Sequence, residues 1–98
     1  MEAPLFIGDE ITAAGYRLAG LEVRLAHPDD GPAALAEACG EGRPLVLITA
    51  ECAAAIPQAE LARRLRALDP PLLLVADAAG RVPVPDVVEA LRREVGLI

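Results

Sequence analysis

Four short apolar runs divide the chain, and each is followed by a stretch whose apolar positions recur every three or four residues. Leu5-Phe6-Ile7, Leu45-Val46-Leu47-Ile48 and Leu72-Leu73-Leu74-Val75 are continuous, the pattern of a parallel strand buried on both faces. Glu22-Val23-Arg24-Leu25-Ala26 alternates instead, as a half-exposed edge strand does. The second strand is therefore an edge, and the first and third are central. Right-handed crossovers then give the order 2-1-3-4.

The intervening stretches predict four helices, from about Asp9 to Ala19, Pro32 to Cys39, Pro57 to Leu68 and Pro85 to Val95. Ile11, Ala14 and Leu18 share a stripe on the first, so they are expected to face inward, with Gly20 as the stop. Gly15, in mid-helix, points to close packing on a strand or a partner. On the third helix Leu61, Leu65 and Leu68 are the expected inward positions. Val84, Val88, Leu91 and Val95 form the stripe of the last, suited either to the sheet or to a neighbouring helix. The expected architecture is one three-layer α/β domain over residues 1–98, flavodoxin- or receiver-like, with helices on both faces of a four-stranded parallel sheet. Its core spans about 1–77, and the proline-rich "DAAGRVPVP" begins a connector and final helix over about 78–98.

Composition narrows the function. The chain has 98 residues and is 54% hydrophobic, which excludes disorder and fits a single core. Fifteen acids against nine basic residues, all of them Arg, leave a net charge of −6, and this argues against binding a nucleic-acid backbone. Cys39 and Cys52 belong to no CxxC pair and read as small hydrophobes of a reducing compartment. Neither an export signal nor a membrane-spanning run is visible, so a cytoplasmic protein without direct membrane insertion is expected.

Asp9, Glu10, Glu51 and Asp77 all fall at carboxyl ends of strands, the edge where α/β sheets bind ligands. A receiver-like magnesium pocket would need an Asp in place of Glu51, a fifth strand and a Lys, and the chain has no Lys. The other reading is that Asp9 caps the first helix and the remaining acids favour helix dipoles. No glycine cradle for a phosphate is present, and the lone His27 has no Ser to serve. No catalytic, cofactor-binding or metal-ligating set is assigned. Arg63, Arg64 and Arg66 read as a solvated helix face, or as a patch for an acidic partner.

"IGDEITAAGYRLAGL" resembles the opening of the small central-stalk F subunits of the V/A-type ATPases and ATP synthases, carried by Gly8, Asp9, Glu10, Gly15, Tyr16, Leu18, Ala19, Gly20 and Leu21. "LVLIT" followed by Glu51, and the closing "LRREVGLI", are similar to that family in type and spacing. Ile11 departs from it, standing where many members carry another acid. The resemblance implies a non-catalytic rotor subunit, peripheral to the membrane. Such a subunit binds the coiled-coil D subunit of the central stalk and turns within the catalytic head formed by the A and B subunits. Tyr16 and Arg17, with Val84, Val88, Leu91, Arg92 and Val95, are then the candidate contact residues. The alternative is a degenerate receiver-like regulatory domain.

Overall fold

The computed structural model describes residues 2–94. Four parallel strands, β1 (Leu5–Gly8), β2 (Glu22–Leu25), β3 (Val46–Thr49) and β4 (Leu72–Val75), pair in the order β2-β1-β3-β4, as the apolar patterning predicts. The register sets Phe6 beside Val23 and Leu47, and Leu47 beside Leu73. Side chains alternate across a strand, so Leu5, Ile7, Val46, Ile48, Leu72 and Leu74 share one face, and Phe6, Leu47, Leu73 and Val75 the other.

Among the described residues five helices cover the sheet: α1 (Glu10–Leu18), α2 (Gly31–Cys39), α3 (Ala50–Ala54), α4 (Gln58–Ala67) and α5 (Val84–Glu94). The short α3 is absent from the sequence expectation. Thr49 starts it, its hydroxyl accepting from the Cys52 amide at 3.3 Å. Leu35, Ala38, Cys52, Ala53, Ile56, Leu61, Val87 and Leu91 from α2 to α5 and their flanks join the first sheet face in one core. The second face carries a smaller cluster of Phe6, Ala13 and Leu47, joined by Tyr16, Leu21, Val23, Leu45 and Val75. Of the described helices, α1 alone contributes to it.

That single helix sits close. Gly8 leaves room for the Phe6 ring, because a Cβ there would fall 2.6 Å from Cζ of Phe6 and 2.5 Å from Cγ2 of Thr49. Tyr16 stacks on the same ring, with centroids 4.6 Å apart and planes 16° apart, an arrangement that contributes beyond area burial.

Two helix faces differ from expectation. On α1 the inward residues are Ala13 and Tyr16, while Ile11 (78% exposed), Ala14 and Leu18 (92% exposed) point to solvent. Gly15 packs on no other element among the described residues, since nothing beyond its own helix lies within 4 Å of where its Cβ would be. The flat aromatic pair admits only a small residue such as Ala13 beside it, which turns the larger aliphatic arc outward. On α4, Leu61 is buried as expected, but Leu68 is exposed and terminates the helix at φ 54°. That left-handed turn carries the chain to the buried Pro70 and swings Leu68 off the helical stripe.

Candidate functional site

The order β2-β1-β3-β4 reverses between β1 and β3, and the crevice beyond their carboxyl ends is where open α/β sheets place their ligands. Here a crevice of about 240 Å³ is lined by Asp9, Ala26, His27, Pro28, Thr49, Glu51, Cys52 and Arg81. Asp9 caps α1, with Oδ2 accepting from the Thr12 amide at 3.0 Å. Burial alone would raise its pKa, but hydrogen bonds from the Thr12 amide and hydroxyl and from its own amide outweigh it. Arg81 adds attraction, and the carboxyl is held below its ordinary value. Among the described residues, Asp9 Oδ1 is buried without a hydrogen-bond partner.

Arg81 is the residue that sequence reasoning missed. Its Nε lies 3.0 Å from Asp77 Oδ2 and 3.0 Å from Glu51 Oε2, so one guanidinium answers acids from the ends of β3 and β4. The Asp77 side chain, fully buried, also accepts from the Arg81 amide at 2.9 Å, and the Gly80 amide donates to the Asp77 carbonyl at 3.0 Å. The Asp77 hydrogen bond, and then the charge of Glu51, raise the Arg81 pKa further. A tight turn thus folds the connector back so that a cation of the chain itself lies beside Glu51 and Asp77 at the acidic end of the sheet. Among the described residues, no group of three or more His, Cys, Asp or Glu is placed to hold a metal ion. Glu10 stays outside the cluster, exposed on the first turn of α1.

His27 lies at the crevice rim, where its Nδ1 accepts from the Asp29 amide at 3.2 Å and caps the single turn Pro28–Asp30. Cys52 is buried, and that burial pushes its thiol up, away from the reactive thiolate. Cys39 and Cys52 are both free.

At the opposite end of the sheet Arg43 is buried among carboxylates, 2.9 Å from Glu22, 3.0 Å from Glu41 and 3.6 Å from Glu2, with the Ala3 carbonyl at 3.0 Å. Glu41 also meets Arg24 at 2.9 Å. The Arg43 hydrogen bond is the main cause lowering the Glu41 pKa below its ordinary value. This network ties β2 to the loop before β3 and has a structural use. Arg64 pairs with Glu60 along α4, whereas Arg63 and Arg66 lie outside that pair.

The candidate contact residues separate into two groups that the fold does not bring together. On α5 the buried positions are Val87 and Leu91, flanked by the half-buried Val84 and Val88, and they pack chiefly on α3 and α4 within the core of the first sheet face. An apolar cleft of about 170 Å³ runs between these three helices, lined by Ala53, Ile56, Leu61, Val87 and Leu91 among others. Arg92 is exposed, and Val95 lies outside the described residues. On α1 Tyr16 is engaged internally by Phe6, while Arg17 is exposed.

Sheet order and crevice together define an α/β domain of flavodoxin-like type in which Glu51 and Asp77, after β3 and β4, are paired with Arg81. No family model matches the chain, and no curated protein matches it either. No helix among the described residues is long and apolar enough to cross a membrane.

Proposed function

We propose that the chain is a non-catalytic central-stalk subunit of the F type in a V/A-type ATPase or ATP synthase. In this role it binds the coiled-coil stalk subunit and rides with it inside the head formed by the A and B subunits. It would then lie peripheral to the membrane, in the soluble sector of that machine. The observation that carries the reading is how the opening stretch "IGDEITAAGYRLAGL" is used in the fold. Its first residues serve the fold itself: Asp9 caps α1 and Gly8 admits the Phe6 ring. The aliphatic residues Ile11 and Leu18 are left outside the fold. A stretch that starts a helix and offers apolar surface suits an interaction module better than a reaction centre.

The Asp77–Arg81–Glu51 cluster supports the same reading. A guanidinium held by two carboxylates lines the crevice where a receiver-like domain would bind its cation, and answers the charge of Glu51 and Asp77. The test is co-expression with the coiled-coil stalk subunit and the A and B subunits of the same genome. The expected result is stoichiometric co-purification with the stalk subunit and altered ATP hydrolysis by the assembled head when the chain is added. Failure to co-purify, or phosphoryl transfer onto the isolated chain in the presence of magnesium, overturns the reading.

A further inference from the structure

The two edges of the sheet are finished differently. On β2 the edge carries charge of both signs, with Glu22 held 2.9 Å from Arg43 and Arg24 held 2.9 Å from Glu41. Charged residues on an edge strand guard it against pairing with another chain. The other edge, β4, is Leu72-Leu73-Leu74-Val75, which carries no charge, and all four residues are partly exposed.

The ladder fixes what that edge offers. The Val46 amide donates to the Pro71 carbonyl at 2.9 Å, with Val46 opposite Leu72. Alternate residues of a parallel ladder face the neighbouring strand, so Leu73 and Val75 turn their N–H and C=O groups to β3. Leu72 and Leu74 turn theirs outward. Among the described residues no other backbone group bonds to them. Pro70, the next outward position towards the start of the strand, has no N–H to offer.

This short donor–acceptor pattern is complementary to itself. We propose that the chain forms a two-fold dimer through β4, joining two four-stranded sheets into one of eight strands. The two copies of β4 run antiparallel. Leu72 of each exchanges N–H···O=C bonds in both directions with Leu74 of the other, and Leu73 meets its own counterpart on the axis. Such a non-hydrogen-bonded pair brings Cα atoms to about 4.5 Å, the closer of the two antiparallel spacings. Leu73, 52% exposed in the single chain, is thereby shielded by its twin. The ladder sets no like charges opposite one another, which matters for a chain of net charge −6. A charged partner strand would find nothing on β4 to pair with, whereas a second copy brings an edge of matching length and apolarity. The guarded β2 edge stops the assembly at two. A four-residue strand spans only about 13 Å, so the dimer belongs to the weak class, with a Kd on the order of 10–100 µM. The inference concerns the free chain and is independent of the rotor-subunit reading.

Sedimentation of the purified full chain between about 1 and about 500 µM is expected to show a reversible monomer–dimer equilibrium. Leu73→Asp sets two like charges together on the axis and is expected to weaken the dimer at least about tenfold. At concentrations where the monomer prevails it should melt like the wild type, because the side chain is already half in water. Leu73→Cys is expected to give a disulfide-linked dimer on mild oxidation, since about 4.5 Å between Cα atoms lies within disulfide reach. Leu68→Cys, at a position 65% exposed but off the strand, should cross-link far more slowly. A monomer throughout the range overturns the proposal. So does a dimer that Leu73→Asp leaves unchanged, which would put the contact on another surface, and so does equal cross-linking at positions 68 and 73. Should Leu73→Asp unfold the chain, the cross-linking comparison decides alone.

Discussion

The two faces of the sheet are built from the same kinds of residue and treated differently. On one, Leu5, Ile7, Val46 and Ile48 are sealed under residues of four helices. On the other, Phe6 and Leu47 lie beneath or beside α1, alone among the described helices, and the sheet beyond it thins out to Leu73, which is 52% exposed. Apolar content therefore does not by itself say what a surface is for. The covered face holds the fold together, and the lightly covered face, with Ile11 and Leu18 on the outer arc of α1 above it, leaves apolar surface open to solvent.

If that division holds, truncations of equal chemistry should differ by face. Ile48→Ala, on the sealed face and fully buried, is expected to cost about 2–5 kcal/mol, read as a large fall in the denaturation midpoint or loss of folded protein. A cost under about 1 kcal/mol there would mean that the sealed face is not the main core.

Asp9→Ala probes the junction between the faces, where α1 leaves β1. Loss of the cap is expected to cost about 1 kcal/mol near neutral pH. The Asp9 pKa is depressed in the folded protein, so its contribution is present above its ordinary value of 3.8 and is lost as pH falls through the folded value. Thermal melts of wild type and variant should therefore stay apart above about pH 5 and converge in strong acid. A constant gap down to the lowest pH would show that the carboxylate charge is not what matters.

The smallest effect is expected at Leu73→Ala, which shortens a side chain already half in water on the same strand as Leu72 and Leu74. Its cost should stay below about 1 kcal/mol, since little of its surface is buried by folding. A loss comparable to that of Ile48→Ala would erase the distinction between the faces.

The sheet order was legible in the sequence because three of the four strands state their surroundings. Continuous apolar runs gave β1 and β3 as buried strands, and the alternation of Glu22 to Leu25 gave one edge. The equally continuous run of β4 reads as buried on both faces but forms the other edge, with Leu73 52% exposed. The orientation of α1 was not legible. Periodicity found the arc of Ile11, Ala14 and Leu18 correctly but could not say whether it meets the sheet or the solvent. That choice is made by Phe6 and Tyr16, which stack across the chain and leave room for Ala13. On α5 the missed position is Val87, which packs on α3 and α4. The short α3 was itself hidden in an alanine-rich stretch with little periodicity.

The acids of the crevice were found at the strand ends where the topology places them. Arg81, their partner, was not found, because it lies 30 positions beyond Glu51 in a stretch whose glycine and prolines read as a loose connector. The available signal was local: Asp77 and Arg81 are four apart around Gly80, a spacing that a tight turn can close. Arg43 was missed for a related reason, since two of its three carboxylates, Glu2 and Glu22, are brought to it only by the folded sheet.

Amide hydrogen exchange of the full chain, alone and with the coiled-coil stalk subunit, tests the central claim most directly, because it asks which surface becomes covered without altering a residue. Slowed exchange is expected across α1, centred on residues 11–18, with α4 and α5 unchanged. Slowing confined to α4, α5 or the segment around Arg81, with α1 unaffected, would contradict it.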